Sequence, residues 1–406
     1  MRAPQYLLAI PFLLAAFAST SIAAIRVDAA IPGGNIVVDS IEGDAIGVHQ
    51  DLRDTEGPWF YWSFRVLGAA GRTLDVHFTD GNVIGVRGPA VSTDLGRSWR
   101  WLGAEAVQGA RFRYAVPPRI DEVRFSVTIP YFESDLGTFL KHHSGNSALE
   151  PGVLTNTRKG RAVEKLRLGR LDGKASQRVL LTARHHACES LASYSLEGIL
   201  ESILAPTEDG RWFRDNVEFL VVPFMDKDGV EDGDQGKNRR PHDHNRDYGG
   251  DSIHPSVRAL RDLVPRWSES RLKFALDMHC PYLRGNAPAD NHEDIQFIGG
   301  RDQEIWKRVG QFSKILESVQ TGSLVYRSSN NLPFGTSWNS SANTGSLKSF
   351  EMWASELPGV LIATCIEIPY ANAGGKPVTA ESARALGLDL AHALRIYLQQ
   401  IGVADE

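Results

Sequence analysis

The chain has 406 residues, enough for one large domain or two ordinary ones, and its 42% apolar and 23% charged content is that of a folded globular protein. A formal net charge of -5 argues against a general nucleic-acid or anionic-membrane binder, since both need a basic footprint. Three cysteines are too few for a disulfide framework.

The N-terminus is predicted to be an export signal over residues 1–24. Arg2 gives a short positive start, Tyr6 to Phe17 is largely apolar, and the small residues Ser19, Ser21, Ala23 and Ala24 offer a cleavage site after Ala23 or Ala24. The apolar run falls short of the ~20 residues a membrane span needs. No later segment is long and apolar enough to span either. The mature chain is therefore expected in the periplasm or outside the cell.

Residues 25–140 read as short strands. Asn35 to Val38, Trp59 to Val66, Thr73 to Phe78 and Val123 to Ile129 are rich in β-branched and aromatic residues, and Gly33-Gly34, Gly71 and Asp80-Gly81 separate them as turns. No useful helical period occurs, so a small all-β sandwich is expected. His142 and His143, near its end, are expected to face solvent. Residues 141–406 alternate strands with helices instead. Strands are predicted over Arg178 to Ala183, Val217 to Phe224, Lys273 to Met278 and Val360 to Ile368, and helices over Glu189 to Leu204, Pro255 to Trp267 with Ser252 as cap, and Glu381 to Gln400. This pattern predicts an α/β fold with helices on both faces of its sheet and ligands at the carboxyl ends of the strands.

Those strand ends carry the chemistry. The apolar run Leu180-Leu181-Thr182-Ala183 leads to His186, with Glu189 three residues on and Cys188 between. A histidine and a carboxylate so spaced can close on one metal ion if the backbone turns, and a catalytic zinc wants a third protein ligand and an open position. His185 is the neighbouring alternative to His186. The strand Lys273 to Met278 runs into His279, the expected third ligand, and Leu361 to Ile366 runs into Glu367, which suits a general base. The strand Val217 to Phe224 feeds a polar loop with Arg239, Arg240, Asn245 and Arg246, a donor set fit for a carboxylate or an oxyanion.

In motif order the chain resembles the M14 zinc carboxypeptidases, whose zinc is held by H-x-x-E and a later histidine; here these match His186, Glu189 and His279. The resemblance implies a mixed-sheet α/β carboxypeptidase domain over 141–406 and one Zn2+ per chain. The family's D-x-N-R matches Asp243-His244-Asn245-Arg246. By that match Asn245 and Arg246 bind the substrate's terminal carboxylate, and Asp243 orients His186. The arginine that polarises the scissile carbonyl matches Arg239, with Arg240 competing, and the family's late glutamate, general base and then acid, matches Glu367. The β-rich segment, Trp59-Phe60-Tyr61 and the stretch Ile129 to Leu136 look like the cytosolic-carboxypeptidase branch.

The resemblance thus implies hydrolysis of the C-terminal peptide or isopeptide bond of a peptide or protein. The alternative is a zinc amidohydrolase of the aspartoacylase or succinylglutamate desuccinylase type, acting on N-acyl amino acids. Some features depart from the family. Cys188 stands where many members have Arg or Gly, Asp226-Lys227-Asp228-Gly229 replaces Asn-Pro-Asp-Gly, and no tyrosine aligns with the one that covers substrate in digestive members. Residues 321–358 should shape the side-chain pocket, where Lys348 or Arg327 would favour an acidic residue. His242 and His244 are expected to support the site or face solvent. Cys280 and Cys365 are open to a disulfide or to a buried, reduced state.

Overall fold

The computed structural model describes residues 1, 24–283 and 292–404, so residues 2–23 of the expected export signal lie outside the described residues. From Arg26 to Ser126 the chain forms two five-stranded sheets. Alternation drives their pairing. Leu74, Val76 and Phe78 of Thr73–Phe78 and Phe112 of Arg111–Ala115 point inward from one sheet, and Phe64 and Phe125 from the other. The rings of Phe112 and Phe125 meet across the sheets at 5.0 Å, and buried Trp62 lies 4.6 Å from Phe78. This is the expected sandwich.

Its boundaries differ in one useful place. The strand expected from Trp59 begins at Ser63, as Ser63–Leu67. Residues 59–61 are diverted toward the other half of the chain, where Tyr61 exchanges backbone bonds with the Gln235 side chain at 2.7 and 2.8 Å. A helix not expected from the sequence, Glu133–His142, follows the sandwich, with the Asp135 carboxylate accepting the Phe132 amide at 2.7 Å. His142 is exposed, but His143 is not at solvent as expected: it packs on Phe139 and bonds Glu201 at 3.0 Å.

The second half is built on a seven-stranded mixed sheet. Its four central strands, Val217–Val222, Gln177–Ala183, Leu272–His279 and Ile362–Glu367, run parallel, and antiparallel strands flank them. Both faces of these strands are covered, so they read as continuous apolar runs. Val179, Leu181, Phe274 and Leu276 pack toward helices Ser190–Leu204 and Ala380–Ala404, while Leu180, Leu220 and Ala275 pack toward Pro255–Ser268. Truncating a core residue such as Leu276 to Ala would cost about 2–5 kcal/mol. Helices Glu208–Asn216 and Gln303–Val319 add to the expected set. Ser252 does not cap Pro255–Ser268: its hydroxyl donates to the Asp247 carbonyl, while the Asp247 carboxylate takes the amides of Ile253 and His254 at 2.9 and 2.8 Å.

Candidate active site

Parallel register brings the chemical residues together. His279 pairs with Glu367 across neighbouring strands, and Met278 pairs with Ala183, so the 184–189 turn leaves its strand beside both. Arg184 starts that turn in the left-handed region, with φ 60. Its buried guanidinium locks the turn by donating to the carbonyls of Ala187 and Tyr131 and to the Ser193 hydroxyl. Such a conformation is costly for a non-glycine residue and persists when the surroundings over-determine it.

The turn places His186 Nδ1 3.0 Å from Glu189 Oε1, and His279 Nδ1 lies 2.7 Å from Glu189 Oε2. Ligand atoms of His186, Glu189 and His279 all fall within 4.8 Å of one another. Two imidazole nitrogens and a carboxylate suit zinc. His185, Asp277 and His279 form a second buried trio. There, however, both His185 nitrogens are engaged, Nδ1 with Asp277 at 2.8 Å and Nε2 with the Tyr248 hydroxyl at 2.7 Å. That leaves His186, rather than His185, lining the cavity.

Asp277, which the sequence did not single out, lies between His185 and His279, 2.5 Å from His279 Nε2. It fixes the ring so that Nδ1 points inward, the usual service of a carboxylate behind a ligand histidine. Burial would raise the Asp277 carboxyl, but the two flanking histidines hold it below the usual range. Asp243 lies 3.7 Å from His186 Nε2 and accepts the amides of Asn245 and Asn238. Again burial pushes the carboxyl up, and the neighbouring His186 ring, the Arg246 charge and the Asn238 amide more than reverse it.

Glu367 completes the strand-end set. It lines the same cavity, of about 330 Å3, and its Oε2 is buried without a hydrogen-bond partner among the described residues. Buried polar atoms normally have a partner, so this one is left for a group that enters the cavity. Burial pushes the Glu367 carboxyl above its ordinary range; His279 pulls it back and Glu189 adds to the rise.

The 226–248 loop distributes its cations differently from the expectation. Arg239, expected at the scissile carbonyl, is turned away into a cage of Asp54, Asp226 and Asp234 at 3.2, 2.7 and 3.0 Å. Arg240 is 81% exposed and pairs with Glu56. Neither lines the cavity. Lys237 does: its Nζ sits 2.7 Å from Glu189 Oε1 and 4.8 Å from the Trp59 ring centroid. Burial alone would lower this ammonium, but the Glu189 carboxylate raises it, and Lys237 stays charged. Gly236 explains the approach, since with φ +74 a Cβ there would lie 2.1 Å from the Ala187 amide nitrogen. Lys237 stood in the Gly236-Lys237-Asn238-Arg239 stretch, and no residue pattern marked it over its neighbours.

Asn245 and Arg246 both line the cavity. The Asn245 amide is 3.3 Å from His279 Nε2 and its oxygen accepts the Phe350 amide, while Arg246 donates to the Asn245 carbonyl and is half-buried. His244 is buried against His254 with ring centroids 3.7 Å apart, and His242 bonds Asp247. Cys188, Cys280 and Cys365 are free and buried, so no Cys280–Cys365 disulfide forms. Burial pushes the Cys188 thiol up to about 12, which leaves it inert. Lys348 pairs with Glu356 and Arg327 is exposed; neither lines the cavity.

Comparisons with known proteins fit this geometry. Residues 143–252 match the model of the zinc carboxypeptidase family Peptidase_M14, a span that holds His186, Glu189 and the Asp243–Arg246 motif. An uncharacterised protein of Zymomonas mobilis is 26% identical over 63% of this chain and 67% of its own length. Cytosolic carboxypeptidase 3 of Bos taurus is 31% identical over 30% of this chain, which spans only 12% of that protein. Among solved structures, a metallo-carboxypeptidase from Burkholderia cenocepacia superposes with TM-score 0.73 at 18% identity, covering 93% of this chain and 100% of that one. One from Pseudomonas aeruginosa gives 0.69 at 18%, covering 92% and 99%. The chain is thus related to the M14 zinc carboxypeptidases, sharing their fold, with cytosolic carboxypeptidases among its relatives and bacterial metallo-carboxypeptidases among its structural neighbours.

Proposed function

We propose that the protein is a zinc-dependent metallocarboxypeptidase that removes the last residue of a peptide or protein. The observation that carries this reading is one cavity that holds the His186–Glu189–His279 donor set, the unpartnered Glu367 and the Asn245–Arg246 pair. Zinc held by those donors would act as a Lewis acid toward a water molecule and toward a carbonyl oxygen. Asn245 and Arg246 receive the free carboxylate, which restricts the reaction to chain ends. Glu367 Oε2 takes a proton from the attacking water and returns it to the departing amine nitrogen. Lys237 Nζ supplies the fixed positive charge beside the donors, in the role expected of Arg239, and stabilises the negative charge that grows on the carbonyl oxygen. Trp59 and Tyr282 wall the cavity next to it.

Two measurements on the purified full chain test this reading. Metal analysis should find one zinc per chain, lost in His186→Ala and His279→Ala. Peptides with free C-termini should be shortened, while N-acyl amino acids stay intact; release of the acyl group instead would support the amidohydrolase alternative. We also propose export, on the pattern of residues 1–24. A mature chain starting at Ala24 or Ile25 in a secreted or periplasmic fraction is the expected result, and an intact Met1 in the cytoplasm would refute it.

A further inference from the structure

The proposed reaction leaves the aromatic wall of the cavity without a role. Both halves of the chain build it: Trp59 comes from the stretch diverted out of the sandwich, and Tyr282 follows the strand Leu272–His279. Their ring centroids lie 5.4 Å apart. Buried Phe60 packs edge-on to Tyr282 at 5.1 Å and to Tyr370 at 5.4 Å. The Trp59 backbone is tied down on both sides, its amide donating to the Gly57 carbonyl at 2.9 Å and its carbonyl accepting from the Gln50 side chain at 3.2 Å. A ligand that lies on such a surface need not order it first.

What the wall shows to the cavity is carbon. Trp59 Nε1 is buried and has no hydrogen-bond partner among the described residues, and the Tyr282 hydroxyl donates to the Pro58 carbonyl at 2.5 Å. A basic side chain is disfavoured there, because Lys237 Nζ already lies over the Trp59 ring, 4.8 Å from its centroid, and repels a second cation. An acidic one gains little, because Lys237 is engaged by Glu189 Oε1 and, in the proposed reaction, by the carbonyl oxygen. Flat, neutral, apolar side chains remain, with the edge-on and offset contacts that aromatic rings favour.

The place of the wall decides which substrate residue meets it. The carbonyl beside Lys237 belongs to the penultimate residue, since the last residue gives the scissile bond only its nitrogen. A bond of about 1.5 Å joins that carbonyl carbon to the penultimate α-carbon. The last residue is held instead at Arg246 and at Asn245, which touches His279 and Phe350. We propose that Trp59 and Tyr282 form a subsite for the penultimate residue of the substrate and favour an aromatic side chain there. This inference rests on the carboxypeptidase reading for the direction of the bound chain and on the two rings for its selectivity. Rings that serve only to join the two halves would, when removed, lower stability and slow every substrate alike, leaving the ratio between substrates unmoved.

The test uses zinc-loaded full-length protein and peptides that differ only in the penultimate residue, Phe, Trp, Leu, Gly, Lys or Asp, in series ending in Leu, Lys or Glu. Penultimate Phe and Trp should be processed with kcat/KM about tenfold or more above Gly, the scale of one partly buried aromatic side chain, with Leu between and Lys and Asp no better than Gly. In Trp59→Ala the Phe-to-Gly ratio should fall to within about threefold of one, and Trp59→Phe should keep part of it. Calorimetric binding of the intact Phe and Gly peptides to zinc-loaded Glu367→Gln gives a readout independent of turnover, and the Phe peptide should bind more tightly. Peptides shortened without regard to the penultimate residue, a wild-type preference for Lys or Asp there, or an aromatic preference that survives Trp59→Ala overturns the inference and leaves the carboxypeptidase reading intact. If no peptide is shortened but the Phe peptide binds more tightly and loses that advantage in Trp59→Ala, the reaction is misread and the aromatic subsite stands; equal binding of the two peptides overturns the subsite as well.

Discussion

At the carboxyl ends of the parallel strands, the position of a residue follows from the strand that delivers it; in the 226–248 loop it does not. His279 and Glu367 share a register pair, and the 184–189 turn starts one step away, so an apolar run ending in a polar residue already announces where that residue will stand. In the loop, Lys237 and Arg239 are two residues apart and reach opposite destinations: one enters the cavity beside Glu189, the other a cage of three carboxylates. Part of what decides between them comes from the sandwich. Asp54 draws Arg239 away and accepts the amides of Gln235 and Gly236, while Trp59 offers its ring to Lys237. The β-half therefore helps to set the electrostatics of a site whose metal donors all lie in the other half.

This contrast can be broken most sharply at the strand ends. Glu367→Gln should keep its zinc and lose about 100- to 10,000-fold in kcat, the range of a general acid–base group; near-normal turnover with zinc bound would remove Glu367 from the mechanism. Next comes the loop pair. Lys237→Met should cost ~100- to 1000-fold in kcat/KM, as loss of an oxyanion-stabilising donor does. Arg239→Met should instead lower stability by about 3–5 kcal/mol, because it strands buried carboxylates, with little change in kcat/KM of the protein that remains folded. Denaturant unfolding and steady-state kinetics on both variants decide the matter, and the reverse pattern would return the carbonyl role to Arg239.

A smaller effect is expected behind the metal donors. Asp277→Asn should weaken zinc binding about 10- to 100-fold, read by competition with a chelator, because His279 loses the carboxylate that orients it. Unchanged affinity would mean that the ring is held by packing alone. The smallest effect concerns pH and the arginine cage. Asp234, pushed up to about 6 from the ordinary aspartate value of 3.8 by burial and by the Asp54 charge, binds its proton more readily in the folded chain than in the unfolded one. Its contribution therefore favours folding below 3.8 and is lost as pH rises through 6. Relative to wild type, Asp234→Asn should gain in Tm between pH 4 and 7; a difference that is flat with pH would contradict that environment.

Much of the fold was legible because burial on both faces leaves a plain mark: the central strands are apolar runs, and each ends where a polar residue begins. Loop 226–248 was legible only in part. Asp243, Asn245 and Arg246 stand out as a motif, but the choice among Lys237, Arg239 and Arg240 depends on Asp54, Glu56 and Trp59, about 180 residues away in sequence. Asp277 was hidden for a different reason. Inside an apolar run it looks like an interruption, and its meaning appears only when His185 from the neighbouring strand end reaches it. Trp59 and Tyr61 show the opposite case, since aromatic residues that read as strand are recruited to meet Lys237 and Gln235 of the loop.

The central claim is that one cavity joins a zinc site to a receptor for a free chain end. It is tested most directly by giving the zinc-loaded protein one peptide in two forms, with a free C-terminal carboxylate and with a C-terminal amide, and following both by mass spectrometry. The account predicts stepwise loss of residues from the free form and none from the amide. Cleavage of the amide at a comparable rate, or at internal bonds, would contradict it.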